Sequence, residues 1–245
     1  MKGLGIVAAL AVESRPLGVA RRRRAGPASL ADGTLLVVSG MGPAAAGRGA
    51  RQLVEAGARA LISWGMAGGL DPALTAGTLL LPGEIVSRDG ALFPTAREWR
   101  ERLSAAVAGL HPVCGGRLLT CAAAIGSVAE KASAFRETTA IAVDMESLAV
   151  AQVAASHGLP FIAVRAIVDT AADALPRTLV AVAAEAGAVR LGHLLAALAR
   201  RPADLGAFIR LVRPYRAAKR ALASVAGCGA LAPRGLRIPS ATAGP

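Results

Sequence analysis

Aromatic side chains are scarce in this chain, with two Trp, one Tyr and four Phe among 245 residues. Proteins that grip single-stranded nucleic acid stack its bases on aromatic rings, and there is little here to stack on. Acidic residues are also few: 16 Asp and Glu stand against 28 Lys and Arg, a formal net charge of +12. Such a balance invites an anionic partner. The clearest basic groups are the run Arg21–Arg24 and a late cluster of Arg200, Arg201, Arg210, Arg213, Arg216, Lys219 and Arg220. With no aromatic interleaving and no recognition element, nucleic acid is not the expected partner. These arginines either solubilise an Ala-rich chain or meet an anionic membrane surface.

Cysteine is equally sparse. Cys114, Cys121 and Cys228 are odd in number and lack CxxC spacing, which excludes a disulfide framework or zinc ribbon and fits a reducing cytoplasm. His111, His157 and His193 are scattered, so no metal site is expected. No long apolar run is present either. The best candidate, Leu179 to Leu198, contains Glu185, Arg190 and His193, and the apolar N-terminal stretch is cut by Glu13. Neither a membrane span nor a secretory signal is expected.

What is present is a chain that is 54% apolar, with strand-like and helix-like runs in alternation. Strands are expected at Leu4–Ala9, Leu35–Ser39, Ala60–Trp64, Thr78–Leu81, Glu84–Ser87, Leu118–Cys121, Ala140–Val143 and Phe161–Val168. Helices are expected from Pro43 to Gly57, over Thr95–Ala108, Ser127–Phe135 and Glu146–His157, and again over Leu179–Ala199 and Leu205–Val225. Pro214 should kink or split the last of these, and Gly227–Pro245 reads as a frayed tail. The alternation implies an α/β three-layer sandwich, a central mixed sheet flanked by helices, with a C-terminal helical extension. Residues 1–200 form the α/β domain in this reading, and 201–245 a basic helical extension and flexible tail. Ligands in such folds gather where strands end. The turns at those ends carry Glu13, Gly40–Gly42, a tight glycine turn at Gly65–Gly69, Asp144–Glu146 and Asp169.

Each acidic residue has a structural explanation of its own. Asp144 and Glu146 suit a helix start, Asp169 could cap the turn after its strand, and Glu13 could be a surface residue. Trp64 could line a pocket or pack in the core. Arg48 and Arg165 read better as a helix-surface residue and a buried strand pairing than as phosphate ligands.

Together, however, GIVAALAVE, SGMG, GMAGGLDPAL, AVDMES and VRAIVDTAAD resemble, in order and spacing, the purine nucleoside phosphorylase and methylthioadenosine/adenosylhomocysteine nucleosidase superfamily, over about residues 2–175. The stretch from ALPRTLV to AAKRAL resembles the extension of the hopanoid-associated branch. The resemblance implies an enzyme that cleaves the N-ribosidic bond of an adenosine derivative, releasing adenine from adenosylhopane. The alternatives are methylthioadenosine/adenosylhomocysteine nucleosidase activity, or a non-catalytic nucleoside-binding module at membranes.

By the same resemblance Asp169 protonates purine N7 and Glu13 orients the attacking water. Glu146 accepts hydrogen bonds from the ribose hydroxyls, Met145 packs on the sugar, and Met66, Ala67, Gly68 and Gly42 complete the binding site. Two positions depart from the family: Val168 and Met66 stand where the nucleosidases have serine. No arginine precedes the glycine segment, where Ser63-Trp64 stand. The residues thus favour water, the branch favours phosphate, and the acceptor stays open. No cofactor is implied beyond phosphate as a co-substrate. The expected partners are a small-molecule or lipid-linked nucleoside and further copies of the chain, in a cytoplasmic homodimer or larger homo-oligomer. Peripheral membrane contact through the extension, with Leu205, Phe208, Ile209 and Val212 as its apolar face, is part of the same expectation.

Overall fold

The computed structural model of the protein describes residues 3–18, 26–176, 180 and 205–233, leaving aside the side chains of 205 and 207–209. The helix expected over Leu179–Ala199, His193, Arg21–Arg24 and the tail beyond 233 lie outside the described residues, as do the side chains of Leu205, Phe208 and Ile209.

A mixed sheet organises the molecule. Its long central strand is β4 (Ala60–Gly69), flanked in parallel by β1 (Leu4–Ala8) and β11 (Phe161–Asp169). Beyond β1 lie β3 (Leu35–Val38) and the short edge strand β2 (Ala28–Ser29). The far half of β4 pairs antiparallel with β10 (Ala142–Asp144), which leads on to β9 (Arg117–Thr120), β6 (Glu84–Val86) and β7 (Leu92–Pro94). On the other side β11 pairs with β5 (Leu79–Leu80), and β5 with β8 (Val113–Cys114).

Strand periodicity sorts the core into two faces. Val7, Leu61 and Phe161 point toward helices α2 (Pro43–Glu55) and α5 (Ser147–Ser156). Ile6, Ile62 and Ile162 point the opposite way, into a cluster with Trp64, Trp99 and Leu103. Helix α3 (Arg97–Val107) and the long helix α6 (Leu205–Gly227) supply that second layer. Helix α4 (Val128–Thr138) covers the far end, where Ala134 packs with Leu119, Ile125 and Val143. The result is a three-layer α/β sandwich with a C-terminal helix laid on it.

Two features differ from the sequence reading. Gly65–Gly69 is not a turn: it is the continuation of β4, held by β11 on one side and by β10 on the other. Glycine density suggests a turn when read locally, but here it clears space for side chains that cross the strand. Helix α6 is not split at Pro214 but runs through it as one element. Its second half is core. Ala218, Ala221, Leu222 and Val225 recur at helical spacing and are all fully buried. The segment beyond is also packed: the Trp99 indole N–H donates to the carbonyl of Leu231 at 3.1 Å, and Arg102 donates to that of Ala232 at 3.0 Å. The start of the expected frayed tail is therefore fixed.

Candidate active site

At the carboxyl ends of β1, β4 and β11 lies a cavity of about 160 Å³. Four carboxylates face it: Glu13, Asp144, Glu146 and Asp169. Apolar side chains, among them Leu10, Met41, Val168 and Leu175, make up much of the remaining wall.

Glu13 sits in the short helix α1 (Ala11–Ser14), directly after β1. Its side chain folds back on its own helix start and across to β4, with Oε2 accepting from the amide of Leu10 at 2.9 Å and Oε1 from that of Met66 at 3.0 Å. The indole of Trp64 donates to the Glu13 carbonyl at 2.8 Å, so Trp64 is a core residue that braces the acid from behind. Gly65 makes this possible. A Cβ there would stand 2.6 Å from Glu13 Oε1 and 3.0 Å from Arg165 Nη1. Burial pushes the Glu13 carboxyl above the usual carboxylate range, against the pull of Arg165.

Arg165, on β11, is the buried cation of this side. Its Nε and Nη2 fork onto Asp144 Oδ2 at 2.9 and 2.6 Å, and Nη2 also reaches Ser63 Oγ at 2.7 Å and Ser147 Oγ at 3.0 Å. Thr120 donates to Asp144 Oδ1 at 2.6 Å, and the Ser147 amide to Oδ2 at 3.1 Å. Asp144 is thus saturated and supports the start of α5 instead of presenting a free carboxylate. Burial works against the Arg165 charge, but Asp144, Glu146 and Glu13 outweigh it and hold the group a firm cation.

Two residues on, Glu146 keeps more of its capacity. One hydrogen bond ties it down, from the Gly42 amide to Oε1 at 2.8 Å. Gly42 precedes Pro43 at the start of α2 with φ +89°, a conformation glycine adopts freely. Burial, then the neighbouring Asp144, push the Glu146 carboxyl up to about 7.

Asp169 ends β11 and faces the cavity from the opposite wall. Its Oδ2 is paired with the ammonium of Lys131, which comes from α4 and is completely buried. The turn behind it is capped by Asp173, whose Oδ2 accepts from the Thr170 amide at 2.8 Å and hydroxyl at 2.7 Å. Burial raises the Asp169 carboxyl above its ordinary range and Lys131 opposes that rise.

Of the residues singled out in the sequence, Asp169, Glu13, Glu146, Met145, Met66, Ala67 and Gly68 all line this one cavity. Gly42 does not line it and acts through its amide on Glu146. Arg48 is exposed on α2. His111 meets Ser224 of α6 at 2.9 Å and His157 ends α5, so neither is near the cavity. Lys131 escaped the sequence reading altogether. The signal that could have found it is its place one helical turn before the buried Ala134, a lysine on the inward face of α4.

An acid-lined pocket at the strand ends of a three-layer α/β sandwich defines the class: an α/β enzyme with a small-ligand site where its strands end. The chain belongs to the Phosphorylase superfamily, whose family model matches residues 29–200. Solved structures share the fold. The 5′-methylthioadenosine/S-adenosylhomocysteine nucleosidase of Helicobacter pylori, solved with butyl-thio-DADMe-Immucillin-A, is 18% identical at a TM-score of 0.68, covering 92% of this chain and 97% of that one. The futalosine hydrolase of the same organism is also 18% identical with a TM-score of 0.68, covering 91% and 97%. The Neisseria meningitidis 5′-methylthioadenosine/S-adenosylhomocysteine nucleosidase, in complex with methylthio-immucillin-A, is 21% identical with a TM-score of 0.65, covering 92% and 98%.

Proposed function

We propose that this enzyme cleaves the N-ribosidic bond of an adenosine derivative with an apolar 5′ substituent, releasing adenine, with water as the attacking group. The observation that carries the proposal is the convergence of Glu13, Glu146 and Asp169 on one cavity from three separate strand ends. Breaking this bond builds positive charge on the ribosyl carbon and negative charge on the departing purine. Asp169, whose burial favours the neutral carboxyl, supplies the proton to the base. Glu146 accepts hydrogen bonds from the ribose hydroxyls, Met145 packs on the sugar, and the carboxylates stabilise the developing cation. Glu13, anchored by two backbone amides, orients water for attack.

Water is preferred to phosphate on electrostatic grounds. Acidic side chains face the cavity, and the one guanidinium beside them among the described residues, Arg165, is already committed to Asp144, Ser63 and Ser147. An entering dianion would find no Lys or Arg among the described lining residues to receive it. The apolar wall of Leu10, Met41 and Leu175 suits a greasy 5′ group, and the resemblance of the C-terminal extension supports adenosylhopane as that substrate. The nucleosidase folds named above favour a second reading, cleavage of methylthioadenosine or adenosylhomocysteine.

Adenine release from adenosylhopane, methylthioadenosine and adenosylhomocysteine, with and without phosphate, tests both readings. Asp169→Asn should lower turnover about 10²-fold or more. Failure of all three substrates would overturn the function, and a strict phosphate requirement with a ribose 1-phosphate product would overturn the role of water. The proposal also includes a homo-oligomer, to be read by light scattering, and peripheral contact with anionic membranes. Arg210, Arg213 and Arg220 are exposed on α6 beside the exposed Val212, and such residues add about 1 kcal/mol each at an anionic surface. Because Ala218, Ala221, Leu222, Val225, Leu231 and Ala232 belong to the core, charge reversal at 210, 213 and 220 tests vesicle binding more cleanly than deletion of the extension.

A further inference from the structure

Outside the groups with a stated role, the least ordinary residue is Lys131. Burying an ammonium completely is costly unless every proton finds an acceptor. The three protons of Lys131 go to Asp169 Oδ2, to the Thr170 carbonyl at 2.6 Å and to the Asp173 carbonyl at 2.8 Å. All three acceptors belong to the single segment that carries the acid. Val168, just before it, has no polar side-chain atom to share this task. Helix α4 brings the lysine in and is itself fixed at its start, where Ser127 and Glu130 cap each other's amides at 3.1 and 3.0 Å. No residue of α4 lines the cavity. The ammonium is the polar group through which this helix reaches the acid.

We propose that Lys131 is the positioning residue of the acid: it holds the Asp169 carboxyl at the cavity wall, pins the 170–173 turn behind it, and sets the pH range over which that carboxyl gives up its proton. This rests on the reading of Asp169 as the group that protonates the leaving base. Burial favours the neutral carboxyl and the ammonium favours the charged one. From the other elements, Asp173 in the same turn also acts on Asp169, and Arg210 of α6 acts on Asp173. Glu13, Asp144 and Glu146 lie across the cavity, while β4 presents only the backbone of Gly68 nearby. Remove the ammonium and burial acts unopposed, so the carboxyl keeps its proton to higher pH.

Lys131→Met is the test, with Lys131→Gln as a companion that retains a donor but no charge. Two readouts are needed. The alkaline limb of kcat/KM for adenine release reports the acid in the free enzyme. The side-chain carboxyl ¹³C shift of Asp169, assigned by its loss in Asp169→Asn, reports the same group with no turnover at all. Both should move upward by about 1 pH unit or more in either variant, with kcat reduced about tenfold in Lys131→Met. A purely structural lysine would lower kcat and leave both midpoints in place, and that result overturns the proposal. If neither variant folds, the parent decides: the Lys131 ¹⁵N shift must respond at the Asp169 midpoint, and an independent response overturns the proposal. A parent that shows the coupled titration yet releases no base from any nucleoside overturns the functional reading and leaves the pairing standing.

Discussion

The two walls of the cavity each enclose a buried cation, and they use it differently. On the Glu13 and Glu146 wall the cation is a guanidinium that spends its fork on Asp144 and two serines. It influences the two glutamates through space only, so both keep lone pairs for a ligand. On the Asp169 wall the cation is an ammonium in direct contact with the acid. A planar fork suits a fixed network and a point charge suits one carboxylate plus two carbonyls. The difference divides the site: the glutamate wall keeps oxygens free for a ligand, and the other wall commits its acid to one cation.

The largest effect that would break this comparison is loss of the fork. Arg165→Met strands Asp144 in the core without its cation, and should cost about 3–5 kcal/mol in denaturant unfolding. A cost below about 1 kcal/mol would mean that the network does not organise this wall. On the other wall, a double-mutant cycle between Lys131→Met and Asp169→Asn should return a coupling of about 0.5–3 kcal/mol. Additivity of the two changes would place the ammonium's stabilising role with the turn carbonyls alone.

Much of the framework was legible in the sequence, for physical reasons. Apolar runs such as Leu35–Val38 and Phe161–Val168 have no stable place except a buried sheet, and Pro43 and Gly158 punctuate the helices beside them. The acids stood out because they were few. The wiring behind them was hidden. Arg165 lies 21 residues from Asp144, and Lys131 lies 38 from Asp169, distances over which no periodicity links a pair. The glycine segment misled for a related reason. Its meaning depends on Glu13 and Asp169 crossing it, which is a tertiary fact. The two-residue strands β2, β5 and β8 are too short to carry a pattern.

That crossing gives a finer test of the two walls. Gly65→Ala would put a methyl 2.6 Å from Glu13 Oε1, whereas Gly68→Ala would put one 3.2 Å from Asp169 Oδ2. Glu13 is held by two amides and cannot yield freely. Gly65→Ala should therefore lower kcat/KM about 10²-fold, the penalty of roughly an ångström of misplacement. The Gly68 variant should lose several-fold less, and equal losses would mean that the Glu13 wall is no tighter than the other.

The smallest effect concerns protons. Glu146 has a folded pKa of about 7, above the ordinary 4.5. A group raised in this way stabilises the fold fully below the unfolded value, and that contribution drains away as pH rises through the folded one. Unfolding free energy should thus contain a component that declines between pH 4.5 and about 7, and Glu146→Gln should flatten it. An unchanged slope in that variant would assign the titration to another carboxyl.

The closing of Leu231 and Ala232 against Trp99 and Arg102 also bears on how the protein is made. The indole of Trp99 finds its acceptor 132 residues further along the chain, a contact of very high sequence separation. During synthesis the sheet face that α6 covers emerges before α6 itself. A nascent chain at that stage exposes the slot later filled by Ala218, Leu222 and Val225. This interval is where chaperones would bind it, and where a stalled or prematurely terminated chain would aggregate.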